Sequence, residues 1–211
     1  MKIHVRKNQI EGDEREKIGS VLMQILYKDI SELLKEELTT EEDQDTQKLI
    51  DELQCVQERG YLTKDEFMKI GIWKSPRPKH WYLSNSDETI AETTKKVFAT
   101  DYEKRRIQLL TELVGVRIPT ASAILMLTNP KEYGVIDIRV WEVLYQYGSV
   151  KVNPTGTNFS FENWYNYLMK LRYFAEKHGV KARDVERTLF EHDYKIHQGK
   201  GFIEVCFSQM C

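Results

Sequence analysis

Between Tyr102 and Tyr147 the chain reads YEKRRIQLLTELVGVRIPTASAILMLTNPKEYGVIDIRVWEVLYQY, and this stretch restricts the fold more than any other. Ile107, Leu109, Leu110 and Leu113 recur at helical spacing. Val114-Gly115-Val116-Arg117-Ile118 is too short for anything but a turn, and Gly115 is free to take a positive φ there. Pro119 restarts the chain as a first helical residue, where the missing N–H costs no hydrogen bond. Thr120 to Leu127 continue that second helix, and small residues such as Ala121 and Ala123 let two helices approach closely. A loop holding Pro130 and Gly134 follows, and Asp137 then sits where a third helix begins, a favoured position for an aspartate.

The rest of the chain also has helical periodicity. Ile18, Val21, Leu22, Ile25, Leu26, Ile30, Leu33 and Leu34 predict one long helix over about residues 14–38. Leu49, Ile50, Leu53 and Val56 predict a second over about 45–59, ended by Gly60. Between them, Glu41 to Asp45 form an acidic run that reads as a solvated turn. Thr63 and Glu66 form a capping box that opens a helix reaching Trp73. Asn85 and Ser86 cap a helix that runs to Ala99, and Asp101 caps the first hairpin helix. After the loop at 151–158, Ser160 caps a helix that ends at Gly179. A last helix covers about 182–197, with the tail Phe202 to Phe207 as a short strand or docked extension. The expected class is all-α, in one domain.

No apolar run is long enough to cross a bilayer, and the first residues lack a signal-peptide core. Cys55, Cys206 and Cys211 are an odd and scattered set, which suggests reduced thiols in a cytoplasm rather than a disulfide frame. The net charge of −2 hides a split. Residues 1–70 carry 11 basic and 17 acidic side chains, and residues 71–211 carry 20 and 16. A nucleic-acid binder needs a local positive surface rather than a basic total.

The stretch Trp73-Lys74-Ser75-Pro76-Arg77-Pro78-Lys79-His80-Trp81-Tyr82 supplies one candidate surface. Its two prolines forbid a regular helix. Lys74, Arg77 and Lys79 alternate with aromatic and small residues, as a loop that tracks phosphates and stacks on bases requires. The same pattern also fits a stiff connector anchored to the core through Trp73 and Trp81.

LVGVRIPTASAIL, followed by a Pro/Gly loop and then Val135-Ile136-Asp137-Ile138-Arg139-Val140, resembles the helix-hairpin-helix DNA glycosylase (HhH-GPD) superfamily. Asp137 lies 18 residues after Pro119, the spacing that this resemblance leads one to expect. The firm similarity covers about a quarter of the chain. It implies two helical lobes around a cleft, one formed by residues 85–158 and the other by 1–84 with 159–211. It also implies double-stranded DNA as the partner and no membrane. The hairpin residues Val114, Gly115, Val116 and Arg117, with Thr120 at the next helix start, would hold one DNA strand. Backbone N–H groups and a positive helix end suit a phosphate.

By the same resemblance Asp137 is the catalytic carboxylate. Cleavage of an N-glycosidic bond develops positive charge on the sugar, so a fixed carboxylate beside the anomeric carbon stabilises the transition state and orients water. The base is first flipped out of the stack. Trp81, Tyr82, Tyr133 and Trp141 are the aromatic candidates for the walls of its pocket, although aromatics in an all-α protein usually belong to the core. The family's bifunctional members carry a lysine where this chain has Pro119, so the expectation is a monofunctional glycosylase. Lys131 and Lys74 are the displaced alternatives. Three cysteines cannot build the four-cysteine iron–sulfur cluster of some relatives. No metal or organic cofactor is expected, and a monovalent cation on the hairpin carbonyls is the one ion the resemblance allows. Two rival expectations are a non-catalytic DNA-binding relative, with Asp137 as a helix cap, and a helical protein-interaction module.

Overall fold

A computed structural model of the protein describes residues 25–208, and side chains over residues 25–197. Every secondary-structure element among the described residues is a helix, eleven in all. α1 spans Ile30–Glu37, α2 Gln44–Glu52 and α3 Val56–Arg59. α4 spans Lys64–Lys74, α5 Lys79–Leu83 and α6 Asp87–Ala99. The hairpin helices are α7, Glu103–Glu112, and α8, Ile118–Thr128. α9 covers Ile138–Gln146, α10 Phe161–His178 and α11 Ala182–Ser208.

Several boundaries differ from the sequence expectation, each for a local reason. The first expected helix begins, within the described residues, only at Ile30, because the Asp29 carboxylate caps the chain there by accepting from the Glu32 amide. Its predicted part over 14–24 lies outside the described residues. The second expected helix is broken into α2 and α3 around Leu53, and Gly60 ends it with φ 78° as expected. The stretch after Pro76 is not a loop throughout. Pro78 sits at the N-cap of α5, so Lys79, Trp81 and Tyr82 are helical. A proline bars helix on its N-terminal side but is tolerated where a helix starts. Ser86 caps α6 as expected, whereas Asp101 does not cap α7: Tyr102 holds that position without a side-chain bond. Pro119 is the second residue of α8, not the first. The chain from 198 to Ser208 continues α11 as helix rather than forming a strand.

α8 is the centre of the core. Thr120 to Thr128 are all buried, which fits a helix apolar on every side. α2, α4 and α7 pack against it, α6 lies over α4 and α7, and α10 bridges from α7 to α11. α9 packs on α11, and α1 touches α10 and α11. The buried apolar side chains form one continuous cluster from Ile30 to Leu189. Trp141, Trp164, Tyr82 and Tyr167 are its largest fully buried members.

Candidate functional site

The hairpin forms as the sequence requires. The Val116 amide closes the turn on the Leu113 carbonyl at 3.0 Å, and Gly115 takes φ 84°. A side chain at Gly115 would conflict twice, because its Cβ would also lie 2.7 Å from the Trp81 Cβ. Gly115→Ala is expected to cost about 1–3 kcal/mol through backbone strain and overlap, readable as a lowered Tm. An unchanged Tm would contradict this reading of the turn.

Asn85 holds the turn from outside. Its Oδ1 accepts from the Val114 amide at 2.8 Å and its Nδ2 donates to the Val114 carbonyl at 3.0 Å. Asn85 is buried, so these bonds are shielded from water. The sequence reading took Asn85 for part of a helix cap and missed this clamp, since only tertiary contact discloses it. The clamp also corrects one expected contact: the Val114 amide is committed to Asn85 and is not open to a phosphate. Val116 is buried, with its amide bonded to Leu113. Thr120 is buried too, its hydroxyl 3.3 Å from the Tyr82 hydroxyl, so its side chain does not face a ligand. Arg117 is exposed and forms the N-cap of α8 without a side-chain bond to the helix. The first-turn amides of such a helix lack intrahelical acceptors.

Asp137 is tied to the hairpin through backbone contacts. The Ile136 amide donates to Ser122 Oγ at 3.1 Å, and that hydroxyl donates to the Pro119 carbonyl at 2.8 Å. The Val135 carbonyl accepts from the buried Tyr167 hydroxyl at 2.7 Å, and its amide donates to Glu186 Oε2 at 3.4 Å. Burial holds the Tyr167 hydroxyl well above the ordinary tyrosine range, so it stays a donor. Gly134 packs so closely on Leu171 and Glu186 that no Cβ fits. α8, α10 and α11 therefore fix the strand of chain that ends on Asp137.

The Asp137 carboxylate makes two bonds. Oδ1 accepts from the Arg139 amide at 3.1 Å, which caps α9. Oδ2 accepts from Lys74 Nζ at 3.0 Å. Lys74 is the last residue of α4, and its side chain is 17% exposed against 30% for Asp137. Both line the same open cleft of about 690 Å³. Its other walls include Arg77, the hairpin run Val116 to Pro119, and the loop Gly156 to Phe159. The cleft thus unites Asp137, Lys74, Arg77 and the α8 N-terminus, which lie far apart in sequence.

Other expected site residues fall elsewhere. Lys79 is exposed on α5 but does not line the cleft, and neither does Lys131. Three of the four aromatic candidates are core rather than pocket wall. Tyr82 is fully buried and meets Phe67 edge-on, with ring centroids 5.8 Å apart. Tyr133 is buried beneath Arg172, and its hydroxyl accepts from Arg106 and donates to Glu103. Burial, then the Glu103 charge, pushes that hydroxyl above its ordinary range. Trp141 is fully buried, its Nε1 donating to the Asn153 carbonyl at 2.8 Å. Only Trp81 is open, at 53% exposure, and it lines a second depression beside the hairpin turn with Pro78 and Arg117.

The aromatic ring nearest the site was not anticipated. Phe159 lines the cleft and meets Trp141 edge-on at 5.4 Å. Its loop contains Asn153 and Asn158, the two non-glycine residues with positive φ among the described residues. Asn tolerates that conformation better than most side chains. Arg139 was also missed as a charge near the site; it pairs with the buried Asp193 at 3.0 Å, and its guanidinium lies 5.8 Å from the Phe190 ring.

No group of three or more His, Cys, Asp or Glu among the described residues is arranged to hold a metal ion. No helix among them is long and apolar enough to cross a membrane. Comparison with protein-family models, with curated proteins and with solved structures gives no match.

Proposed function

We propose that this chain is a DNA glycosylase of the helix-hairpin-helix type, which hydrolyses the N-glycosidic bond of a flipped, altered base. The observation that carries the reading is the shared cleft: the Asp137 carboxylate, the hairpin run Val116 to Pro119, Lys74 and Arg77 all line it. In this reading the hairpin unit forms one side of the DNA-binding face and the remaining helices the other. Arg117 and the α8 N-terminus meet the phosphates of one strand, which positions the duplex without reading its sequence. Asp137 then faces the sugar. Its charge stabilises the oxocarbenium-like transition state and orients the water that adds to the anomeric carbon. Phe159 replaces the three buried aromatics as the side chain that packs against the flipped base.

A second reading has its own observation. Asp137 already caps α9 and pairs with Lys74, so it has a structural role without chemistry. That favours a non-catalytic DNA-binding relative, with a protein-interaction module as the further alternative. Excision from duplexes with one altered base, followed by hot alkali, separates catalysis from binding alone. A salt titration separates both from the interaction module. DNA binding through several phosphates must weaken steeply as salt rises. Arg77→Ala and Arg117→Ala should each lower the slope of log K against log salt by about 1. A slope unchanged in both variants would remove this face from the DNA contact.

A further inference from the structure

The depression beside the hairpin turn has no part in excision, yet its walls are firmly held. It has a volume of about 520 Å³, and Trp81 is the only aromatic that lines it. Trp81 and its neighbour Val114 are 53% and 43% exposed, so an apolar patch stays open there. Three contacts fix the indole in place. The Trp81 amide donates to the Pro78 carbonyl at 2.9 Å. Its carbonyl accepts from Asn85 Nδ2 at 3.4 Å, and the same nitrogen holds the Val114 carbonyl. Its Cβ lies so close to Gly115 that no side chain fits between them. The His80 ring lies against the indole, with centroids 4.8 Å apart. Thr111, Val116 and Arg117 line both this depression and the cleft, so Arg117 stands between Trp81 and the Asp137 side. Glu112, the only carboxylate that lines the depression, pairs with Arg105 at 3.7 Å.

We infer that this depression is a second DNA subsite. Trp81 stacks there on an unpaired base, and Arg117 meets the phosphate that joins that nucleotide to the strand held by the hairpin. The inference rests on the DNA-binding reading of the cleft and not on excision. Every base has a π-face, so an indole accepts it whatever the sequence, while a cation beside the ring tracks the backbone. A base inside a duplex has both faces covered by its neighbours and cannot reach the ring. The subsite therefore selects DNA in which duplex passes into single strand, such as a frayed end, a gap or an extension. That preference is separate from the choice of altered base.

The turn itself favours a base over a peptide. A peptide strand laid along the turn needs partners for its own N–H and C=O groups. The Val114 amide and carbonyl, which would supply them, are both bonded to Asn85. A stacked base makes no such demand, because its polar edge stays in water. The fixed backbone around Trp81 also lowers the ordering cost of binding, as preorganisation does generally.

The full chain is titrated with undamaged duplexes of three kinds: blunt, with a short single-stranded extension at either end, and with an extension of equal length whose nucleosides are replaced by tetrahydrofuran sugars. The base-bearing extension should bind about tenfold tighter than the base-free one. The slope of log K against log salt should be the same for both, because they carry equal charge. Tryptophan emission should be quenched by the base-bearing extension alone. Trp141 and Trp164 are fully buried, and Trp73 is partly buried and bonded to Thr46, so Trp81 is the open emitter. In Trp81→Ala the two extensions should bind equally, whereas Trp81→Phe should keep most of the difference. Equal affinity for the two extensions in wild type, with salt-sensitive binding to the blunt duplex, would overturn the inference and leave the DNA-binding reading intact; the depression would then pass to a protein partner. A difference that survives in Trp81→Ala would place the base elsewhere and also overturn it. No salt-sensitive binding to any of the DNAs would overturn both.

Discussion

Asp137→Asn is expected to remove excision while leaving duplex binding nearly intact. Asparagine keeps the shape of the side chain and the Oδ1 acceptor that caps α9 through the Arg139 amide. It loses the charge that opposes the positive sugar. Removal of one preorganised electrostatic contact of this kind costs about 10²–10³ in rate, and loss of the water-orienting oxygen adds to that. The stability change should be small beside the rate loss, because the cap on α9 survives and both members of the Lys74 pair keep some exposure, 17% and 30%. Single-turnover excision and duplex binding, measured on the same preparation, check both halves. Near wild-type excision in the variant would refute the catalytic assignment. Loss of binding together with excision would show that Asp137 serves structure first.

The second large effect is expected away from the cleft. Arg183 lies between two buried carboxylates, pairing with Glu42 at 2.7 Å and with Glu186. Arg187 also reaches Glu42. Arg183→Met keeps much of the aliphatic volume but strands Glu186 without its partner. Breaking a buried pair by removal of one member costs about 3–5 kcal/mol. Burial pushes the Glu186 carboxyl above its ordinary range, and Arg183 works against that push. Without Arg183 the carboxyl rises further. A carboxyl raised in the fold favours folding only while protonated, so stability falls as pH rises from its unfolded value through its folded one. The penalty of Arg183→Met should therefore be smaller in mild acid than at neutral pH. Urea unfolding at both conditions reads it. A penalty below about 1 kcal/mol, or one that grows on acidification, would contradict the pairing.

Glu186 also links this cluster to the site, since its carboxylate receives the Val135 amide two residues before Asp137. Loss of Arg183 should thus disturb excision as well as stability, without touching the cleft.

The helices and the hairpin were legible because their signals are local. Gly115 and Pro119 mark a turn and a helix start whatever surrounds them. Thr63 with Glu66 forms its capping box from four consecutive residues, and Ser160 likewise caps its helix locally. Breaks such as the one at Leu53 were not legible, because apolar spacing carries across a short interruption. The pairing of Lys74 with Asp137 was also beyond the sequence. The two are 63 residues apart, and only the packing of α4 on α8 brings them together. The aromatic assignments failed for a related reason. Tyr82, Tyr133 and Trp141 have polar tips that could face a ligand or a buried partner, and each finds its partner inside: Thr120, Glu103 and the Asn153 carbonyl. Phe159 went unnoticed because nothing near it in sequence points to chemistry. Its place in the cleft depends on Trp141 anchoring the loop.

Excision itself tests the central claim most directly. Wild type and Asp137→Asn would be run in parallel, under single-turnover conditions, on duplexes that each hold one uracil, oxidised purine, alkylated purine or mismatch. Each reaction would be split, one half treated with hot alkali. The expected result is base release from at least one duplex by wild type, with abasic sites revealed by alkali and release lost in the variant. Absence of base release from every duplex, with duplex binding preserved, would contradict the enzymatic claim and leave a DNA-binding protein in which Asp137 is a helix cap.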